Sequence, residues 1–165
     1  MIRVAEHICP RKKLFAYGTG IGVLAGILNA YFPLIDFRIS ASFFGWLAAA
    51  VVAIIFLHEG VHGAVALLSG HRPIFGMRPP YFYTTFTEKV PRGHFMIIAL
   101  APLVVLNIIF VALFATGFLK VFTYFCLLVN TIGAVGDLWI ILRLSGHDRG
   151  TLIQDTKNGI EVWKF

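Results

Sequence analysis

Charged residues are scarce in this sequence, and their scarcity excludes a large class of folds. Only 13% of the 165 residues are charged, whereas 58% are hydrophobic and 16 are phenylalanine. A soluble domain of this size needs far more polar surface than such a composition provides. The chain is therefore predicted to be an integral membrane protein.

Cysteines are equally scarce, and a recognisable secretion signal is missing. The two cysteines, Cys9 and Cys126, lie in an N-terminal lead and in an apolar stretch, where a disulfide between them is not expected. The first apolar stretch follows a long lead, exceeds the usual length of a signal-peptide core and has no clear small-x-small cleavage site. We interpret it as a membrane span of the folded protein.

Four apolar stretches are long enough to cross a bilayer as helices, which requires roughly 20 residues each. They run from about Leu14 to Phe32, Phe43 to Ser69, Phe95 to Gly117 and Val121 to Arg143. We predict an all-α integral membrane fold in which these four transmembrane helices form a single domain over residues 1–165. Residues 144–165 form a tail in this prediction.

Two segments outside the spans carry turn and strand signals. Residues 72–92 are rich in aromatic residues and threonine and are broken by prolines, which favours short β segments or, equally, an aromatic belt at the membrane interface. An exposed strand edge there could pair with an extended polypeptide segment. In the tail, Asn158-Gly159 lies between two candidate strands and predicts a C-terminal β-hairpin.

The net charge of +6 comes from basic residues that are distributed unevenly between the predicted loops. Of the 14 Lys and Arg residues, only Arg38 and Lys120 lie between spans one and two or between spans three and four. This asymmetry is typical of the positive-inside rule and predicts a multi-pass protein of the cell membrane whose segments 1–13, 70–94 and 144–165 face the cytoplasm. We assign the basic residues to topology and to contact with the lipid bilayer, not to nucleic acid.

Ionisable residues are almost missing from the spans themselves. Spans one and three contain none, and the other two contain His58, Glu59, His62 and Asp137 when Arg143 at the very end is left aside. Ionisable groups are costly inside a bilayer, and by default they mark function. Three of the four lie within five residues, in the string HEGVH.

The string His58-Glu59-Gly60-Val61-His62 has the H-E-x-x-H pattern. On a helix, positions i and i+4 share a face about 6 Å apart along the axis, so both imidazoles can bind one metal ion. Zinc suits two nitrogens with an added oxygen or sulfur, and Glu59 can then act as the general base toward water. The alternative is that the histidines hydrogen-bond to neighbouring helices and Glu59 stays neutral in the core.

Asp137 is the candidate for the third metal ligand. Counted from the inner ends of their spans, His58, His62 and Asp137 lie at depths of roughly 16, 10 and 9 Å, which places all three in one half of the membrane. Gly133 and Gly136 before it are predicted to loosen the helix and admit a close neighbour. The alternative for Asp137 is a helix-terminal carboxylate that faces Arg143.

Other polar residues are less clearly assigned. Asn130 lies seven residues before Asp137 on the same helix face, where it could hydrogen-bond a substrate backbone, orient the carboxylate, or simply pack between helices. The remaining candidates for metal ligands, His71, Glu88 and His94, lie in or beside the 70–94 loop, at a different depth from HEGVH.

The helix with HEGVH, a connecting helix and a third helix with Asn130 and Gly136-Asp137 resemble the core of the site-2 protease group of intramembrane zinc metalloproteases. The chain looks most like a small prokaryotic branch described as zincin peptidases, over roughly residues 43–143. The resemblance implies that His58, His62 and Asp137 are zinc ligands and that Glu59 is the catalytic base. The chain departs from the group's proline-flanked Leu-Asp-Gly, and it contains no PDZ-like domain.

Two functions from different classes follow from these observations. The first is a zinc-dependent endopeptidase, embedded in the membrane, that hydrolyses a peptide bond of a membrane-anchored protein near the cytoplasmic face. The second is a non-catalytic membrane protein with a structural, transport or sensing zinc site. Glu59 distinguishes them, because a site that only binds metal has no need of a carboxylate beside its two histidines. The oligomeric state is not indicated by any pattern in the sequence.

Overall fold

The structure is a computed structural model, and it describes residues 1–31, 34–35, 41–78, 81–156 and 158–165. Three positions used in the sequence predictions lie outside the described residues. These are the predicted end of span one and two of the basic residues, namely Phe32, Arg38 and Lys157.

Among the residues that the structure describes, four helical segments are long and apolar enough to cross a membrane, and the structure is 64% helical. The first three are single helices, and the fourth is made of two: α1 is Arg11–Tyr31, α2 is Ala41–Leu68, α3 is Arg92–Ala115, α4 is Lys120–Gly133 and α5 is Val135–Ser145. The predicted spans agree with these segments to within three residues at each described end. Many large apolar side chains on the helices are exposed, as expected for surfaces that face lipid.

The fourth segment is interrupted at Ala134, which ends α4 and also precedes the first residue of α5. The interruption lies between Gly133 and Gly136, the two glycines predicted to loosen the helix. The predicted close neighbour is not seen, because no described atom outside the local helix lies within 4 Å of the Cβ position of either glycine. The interruption is slight, because the N–H of Ala134 still donates to the carbonyl oxygen of Asn130 and the N–H of Leu138 still donates to that of Ala134.

The predicted all-α fold is corrected to a mostly helical one, because the structure also contains β-strands. A four-stranded antiparallel sheet has the order β1-β6-β5-β4, and a separate hairpin pairs β2 with β3. The strands are β1 Ile2–Ile8, β2 Pro73–Arg78, β3 Tyr81–Phe86, β4 Val90–Pro91, β5 Leu152–Thr156 and β6 Gly159–Lys164. The predicted β segments of the loop and the predicted C-terminal hairpin are confirmed, whereas β1 was not predicted.

The four-stranded sheet gathers three distant parts of the chain at one end of the helices. It pairs the N-terminal lead with the tail, and the tail with the residues that precede α3. The turn between β5 and β6 needs glycine, because Gly159 has a φ of +156° and its Cβ position would lie 1.9 Å from the carbonyl oxygen of His7. Both termini and the end of the 70–94 loop therefore lie on the same side of the four helices.

Two apolar clusters hold these parts together. One lies among the helices and is built from Ala50, Ile54, Leu106, Phe110, Phe125 and Cys126. The other joins the helix ends to the sheet and includes Val90, Phe95, Leu144, Ile153, Ile160 and Val162. Both cysteines are free thiols, in agreement with the sequence. The ionisable residues of α2 lie between the two clusters, beside Val61 of the first and Ala66 of the second.

Candidate metal centre

His58 and His62 point from one face of α2 toward the same carboxylate. The residues are one helical turn apart, their ring centroids are 4.8 Å apart, and each is only 8% exposed. Asp137, in the first turn of α5, lies between their Nε2 atoms. Its Oδ2 is 3.0 Å from Nε2 of His58, and its Oδ1 is 3.5 Å from Nε2 of His62. The structure thus brings together the three residues that the depth argument placed at one level.

The second nitrogen of each histidine faces an acceptor. Nδ1 of His58 lies 2.9 Å from Oδ1 of Asn130, and Nδ1 of His62 lies 2.8 Å from the backbone oxygen of Ile98. Because a carbonyl oxygen only accepts, a hydrogen must sit on each Nδ1. In the neutral rings, Nε2 then carries the lone pair that a metal ion uses.

Asn130 is fully buried and is held by three polar contacts. Its Nδ2 donates to the carbonyl oxygen of Pro102 at 3.1 Å and to Oδ1 of Asn107 at 2.8 Å. These two acceptors fix the orientation of the amide, which leaves Oδ1 to accept from His58. Of the roles considered from the sequence, this geometry matches an orienting one, although the group oriented is His58 instead of Asp137. The substrate contact stays a prediction.

Glu59 lies one step round the helix from the two histidines and contacts the β2–β3 hairpin. The hydroxyl of Thr84 on β3 donates to Oε2 of Glu59 at 2.7 Å. Gly63 allows the hairpin this close to α2, since its Cβ position would fall 2.3 Å from the ring of Phe75 on β2. A single hydrogen bond uses one of about four lone-pair sites of a carboxylate, so Glu59 retains the capacity to accept a proton.

A cavity of about 220 Å³ opens beside Glu59, His62 and Asp137. Its wall also includes a third carboxylate, Asp155 on β5, whose pKa is raised above its ordinary value because burial penalises the charged form. No lysine or arginine is present among the described residues that line it, which are Glu59, His62, Tyr83, Thr84, Phe86, Phe95, Ile98, Ala99, Asp137, Ile140 and Asp155. Carboxylates, one imidazole and mostly apolar side chains therefore face the space beside the candidate metal centre.

His71, Glu88 and His94, the other ligand candidates in the sequence, form a separate chain of contacts. Glu88 Oε1 lies 3.0 Å from Nδ1 of His71, and Nδ1 of His94 lies 2.9 Å from Nε2 of the same ring. The hydrogen bond from His71 lowers the pKa of the Glu88 carboxyl. Because its two partners sit at opposite nitrogens of His71, the three residues do not converge on one point.

Comparison with known proteins assigns the chain to a family. A family model described as "Putative zincin peptidase" matches residues 51–152, which is more than half of the chain. The chain belongs to this family. Both HEGVH and Asp137 fall inside the matched residues of the zincin peptidase family.

One curated relative of this family member comes from Pyrococcus woesei and is named "Uncharacterized 24.7 kDa protein in gap 5'region". It is 26% identical over 149 residues, and the match covers 87% of this chain and 66% of the relative's length. The comparison with solved structures finds no match. Membership of the zincin peptidase family implies zinc as the metal.

The donor set fits zinc on chemical grounds. With an acceptor at each Nδ1, the two Nε2 atoms face the carboxylate of Asp137, an arrangement that is favourable when a metal cation lies between these atoms or when the rings carry a proton there. Ligand atoms about 2.0 to 2.1 Å from a tetrahedral zinc ion lie roughly 3.3 Å from one another. The observed separations of 3.0 and 3.5 Å bracket that value. Suitable donor atoms of His58, Glu59 and His62 also lie within 4.8 Å of one another.

Three features of the site were missed from the sequence: Thr84, the carbonyl of Ile98 and Asp155. A hydroxyl in a strand and a carboxylate in a tail give no local signal, since their positions depend on distant pairing. The carbonyl of Ile98 did have a signal, because Pro102 lies four residues later in the same predicted span.

Proposed function

We propose that this chain is a zinc-dependent endopeptidase of the site-2 type, embedded in the membrane. Its substrate is a membrane-anchored protein, and cleavage takes place near the cytoplasmic face. His58, His62 and Asp137 hold the zinc ion, and Glu59 is the catalytic base.

One observation carries the proposal: Glu59 lies at the cavity beside the two histidines, next to but apart from the contacts that join them to Asp137. Two imidazoles and Asp137 complete a site whose only function is to bind metal. Such a site does not explain why Glu59, a further carboxylate, is partly buried beside them. A hydrolase does need one, because a base must take a proton from water and return it to the leaving amine.

The residues of the chain divide the work of hydrolysis. When bound, zinc would act as a Lewis acid and lower the pKa of water at the site to about 7. Glu59 accepts the proton of the attacking water and delivers it to the amine nitrogen as the peptide bond breaks. Thr84 holds one oxygen of Glu59 at 2.7 Å, which restricts the direction in which the carboxylate faces. The apolar wall of Phe95, Ile98 and Ile140 limits the water in the cavity.

The β2–β3 hairpin supports a protein as the substrate. A peptide bond within a helix is shielded by its neighbours, so a substrate segment must become extended before it is cut. Strand β3 carries Thr84 to Glu59, and among the described residues β2 is the strand that pairs with it. Beyond β2, its other edge is approached near one end by side chains of β5, since Gln154 donates to the carbonyl oxygen of Phe86 at 3.4 Å. A substrate segment added along that edge would lie beside Glu59 in the extended form.

The orientation in the membrane follows from charge. The segments that share the sheet end of the helices, together with the 70–94 loop, hold most of the basic residues. By the positive-inside rule we place this end, and with it both termini, in the cytoplasm. The cavity beside β3 and β5 then opens toward the cytoplasmic half of the bilayer.

The decisive experiment compares Glu59→Gln with Glu88→Gln, which makes the same change outside the cavity. New protein N-termini are counted in membranes from cells that produce each variant, and zinc is measured in the purified proteins. We expect Glu59→Gln to keep its zinc but to lose cleavage by about 10²- to 10⁴-fold, whereas Glu88→Gln behaves as the wild type. Normal cleavage by Glu59→Gln, or its unfolding with loss of zinc, would reject the proposal.

A further inference from the structure

Pro102 lies in the interior of α3, where proline is the least favourable of all residues. In an α-helix the N–H of each residue donates to the carbonyl four residues earlier, and proline has no N–H to donate. The carbonyl of Ile98 therefore lacks the donor that residue 102 would otherwise supply. The ring of a helical proline also crowds that same carbonyl and tilts it away from the helix axis.

The carbonyl of Ile98 is the acceptor for Nδ1 of His62. The two atoms are 2.8 Å apart, and both residues are buried, at 4% and 8% exposure. Pro102 itself is completely buried, and its own carbonyl oxygen accepts from Asn130, which in turn accepts from His58. One turn of α3 thus supplies two carbonyl oxygens: that of Ile98 contacts His62 directly, and that of Pro102 holds the amide that contacts His58.

We propose that Pro102 is a positioning residue for His62. By withholding an N–H from the Ile98 carbonyl, it keeps this oxygen available to hold His62 with its hydrogen on Nδ1 and its Nε2 lone pair toward Asp137. The proposal deepens the proposed function, because it rests on His62 as a zinc ligand.

The two histidines are fixed by different means. His58 uses the side-chain amide of Asn130, which any helix can present. His62 uses a main-chain oxygen, and a main-chain oxygen inside a helix is engaged unless its partner N–H is removed. A carbonyl can accept two hydrogen bonds, so a restored N–H at residue 102 should weaken the bond to His62 without abolishing it. The expected effect is a partial loss of zinc affinity.

The test restores the N–H and then removes it again with the same side chain. Pro102→Ala supplies an N–H, whereas L-lactic acid introduced at position 102 has the same methyl group but an ester oxygen in place of the N–H. Zinc affinity is measured by competition with a chelator, and the hydrogen bond of the His62 Nδ1–H by nitrogen NMR of the zinc-bound protein. We expect Pro102→Ala to bind zinc about 10-fold more weakly, at the lower end of the effect of losing such a supporting contact, and to show a weaker hydrogen bond at Nδ1.

The lactic acid variant should recover both the zinc affinity and the Nδ1–H hydrogen bond of the wild type. If Pro102→Ala matched the wild type in both measurements, or if the lactic acid variant were as impaired as Pro102→Ala, the missing N–H would have no role and the proposal would be wrong. Neither measurement depends on cleavage. A wild-type protein that positions His62 as described but cuts no substrate would therefore contradict the proposed function alone.

Discussion

Replacement of Asn130 by leucine, which has a similar shape but no polar atoms, should damage the metal centre before it affects substrate. The variant removes three hydrogen bonds, to His58, Pro102 and Asn107. Interhelical hydrogen bonds in membranes contribute about 0.6 kcal/mol each, so their loss lowers the free energy of unfolding by about 2 kcal/mol. The buried N–H of His58, left without an acceptor, adds about 1 to 3 kcal/mol.

The effect on zinc is separate and follows from orientation. Without the oxygen of Asn130, His58 can rotate or place its hydrogen on Nε2, and either change removes a nitrogen from the ion. Loss of such a supporting contact weakens metal binding by about 10- to 100-fold. Asn107→Leu is the matched control, because Asn107 bonds to Asn130 and Thr131 but is not among the contacts of His58. It should lower stability but weaken zinc binding less than Asn130→Leu does, because the carbonyl oxygen of Pro102 still holds the Asn130 amide.

Thermal unfolding of the metal-free proteins in detergent measures the first effect, and competition with a chelator measures the second. Steady-state kinetics on a cleaved substrate then separates the two roles of Asn130. A variant Asn130→Leu that bound zinc as tightly as the wild type and differed only by a raised KM would refute our assignment. That result would favour the substrate contact considered from the sequence.

Three further changes test other parts of the structure. Asp137→Ala should lose most of the zinc that the wild type holds, at about one ion per chain, whereas Glu88→Ala should keep it; the reverse outcome, read by metal analysis, would place the third ligand in the loop. A cysteine at Arg149 should react with a membrane-impermeant reagent only after the cells are opened, and one at Lys120 should react from outside, in a background without the native cysteines. Because burial raises the pKa of Asp155 from its ordinary value of 3.8, the stability it contributes is present below that value and is lost as the pH rises through the folded-state pKa. Asp155→Asn should therefore gain thermal stability over the wild type as the pH rises from about 4 to 7, and a constant difference between them would contradict this.

The spans and the placement of both HEGVH histidines on one helix face could be predicted because their signals are local. A run of apolar residues specifies a membrane helix by its length, and two histidines one turn apart share a face whatever surrounds them. The depth of Asp137 in the membrane could also be predicted, because the rise per residue of a helix converts sequence position into depth. Each of these inferences uses only the geometry of one helix and the thickness of a bilayer.

The strand β1 and the contact of Thr84 with Glu59 could not be found in the same way. Ile2–Ile8 forms a strand because β6, more than 150 residues later, offers it an edge. Thr84 is one of several threonines in the loop, and only the packing of Phe75 on Gly63 decides which hydroxyl reaches Glu59. Long-range pairing of this kind leaves no period in the sequence.

The sheet also supports the helix that carries the third candidate ligand. Helical hydrogen bonds continue from α4 into α5 across Ala134, so the Asp137 end of α5 is joined to α4. The other end of α5 is anchored at the sheet: Leu144 is completely buried in the cluster with Val90 and Ile153, and Arg92 donates to its carbonyl oxygen at 2.7 Å. Asp137 is therefore supported from the sheet end, by the same strands that carry Asp155 to the cavity wall. A change that loosens the sheet should reach the metal centre through α5, even though no strand of that sheet supplies a ligand.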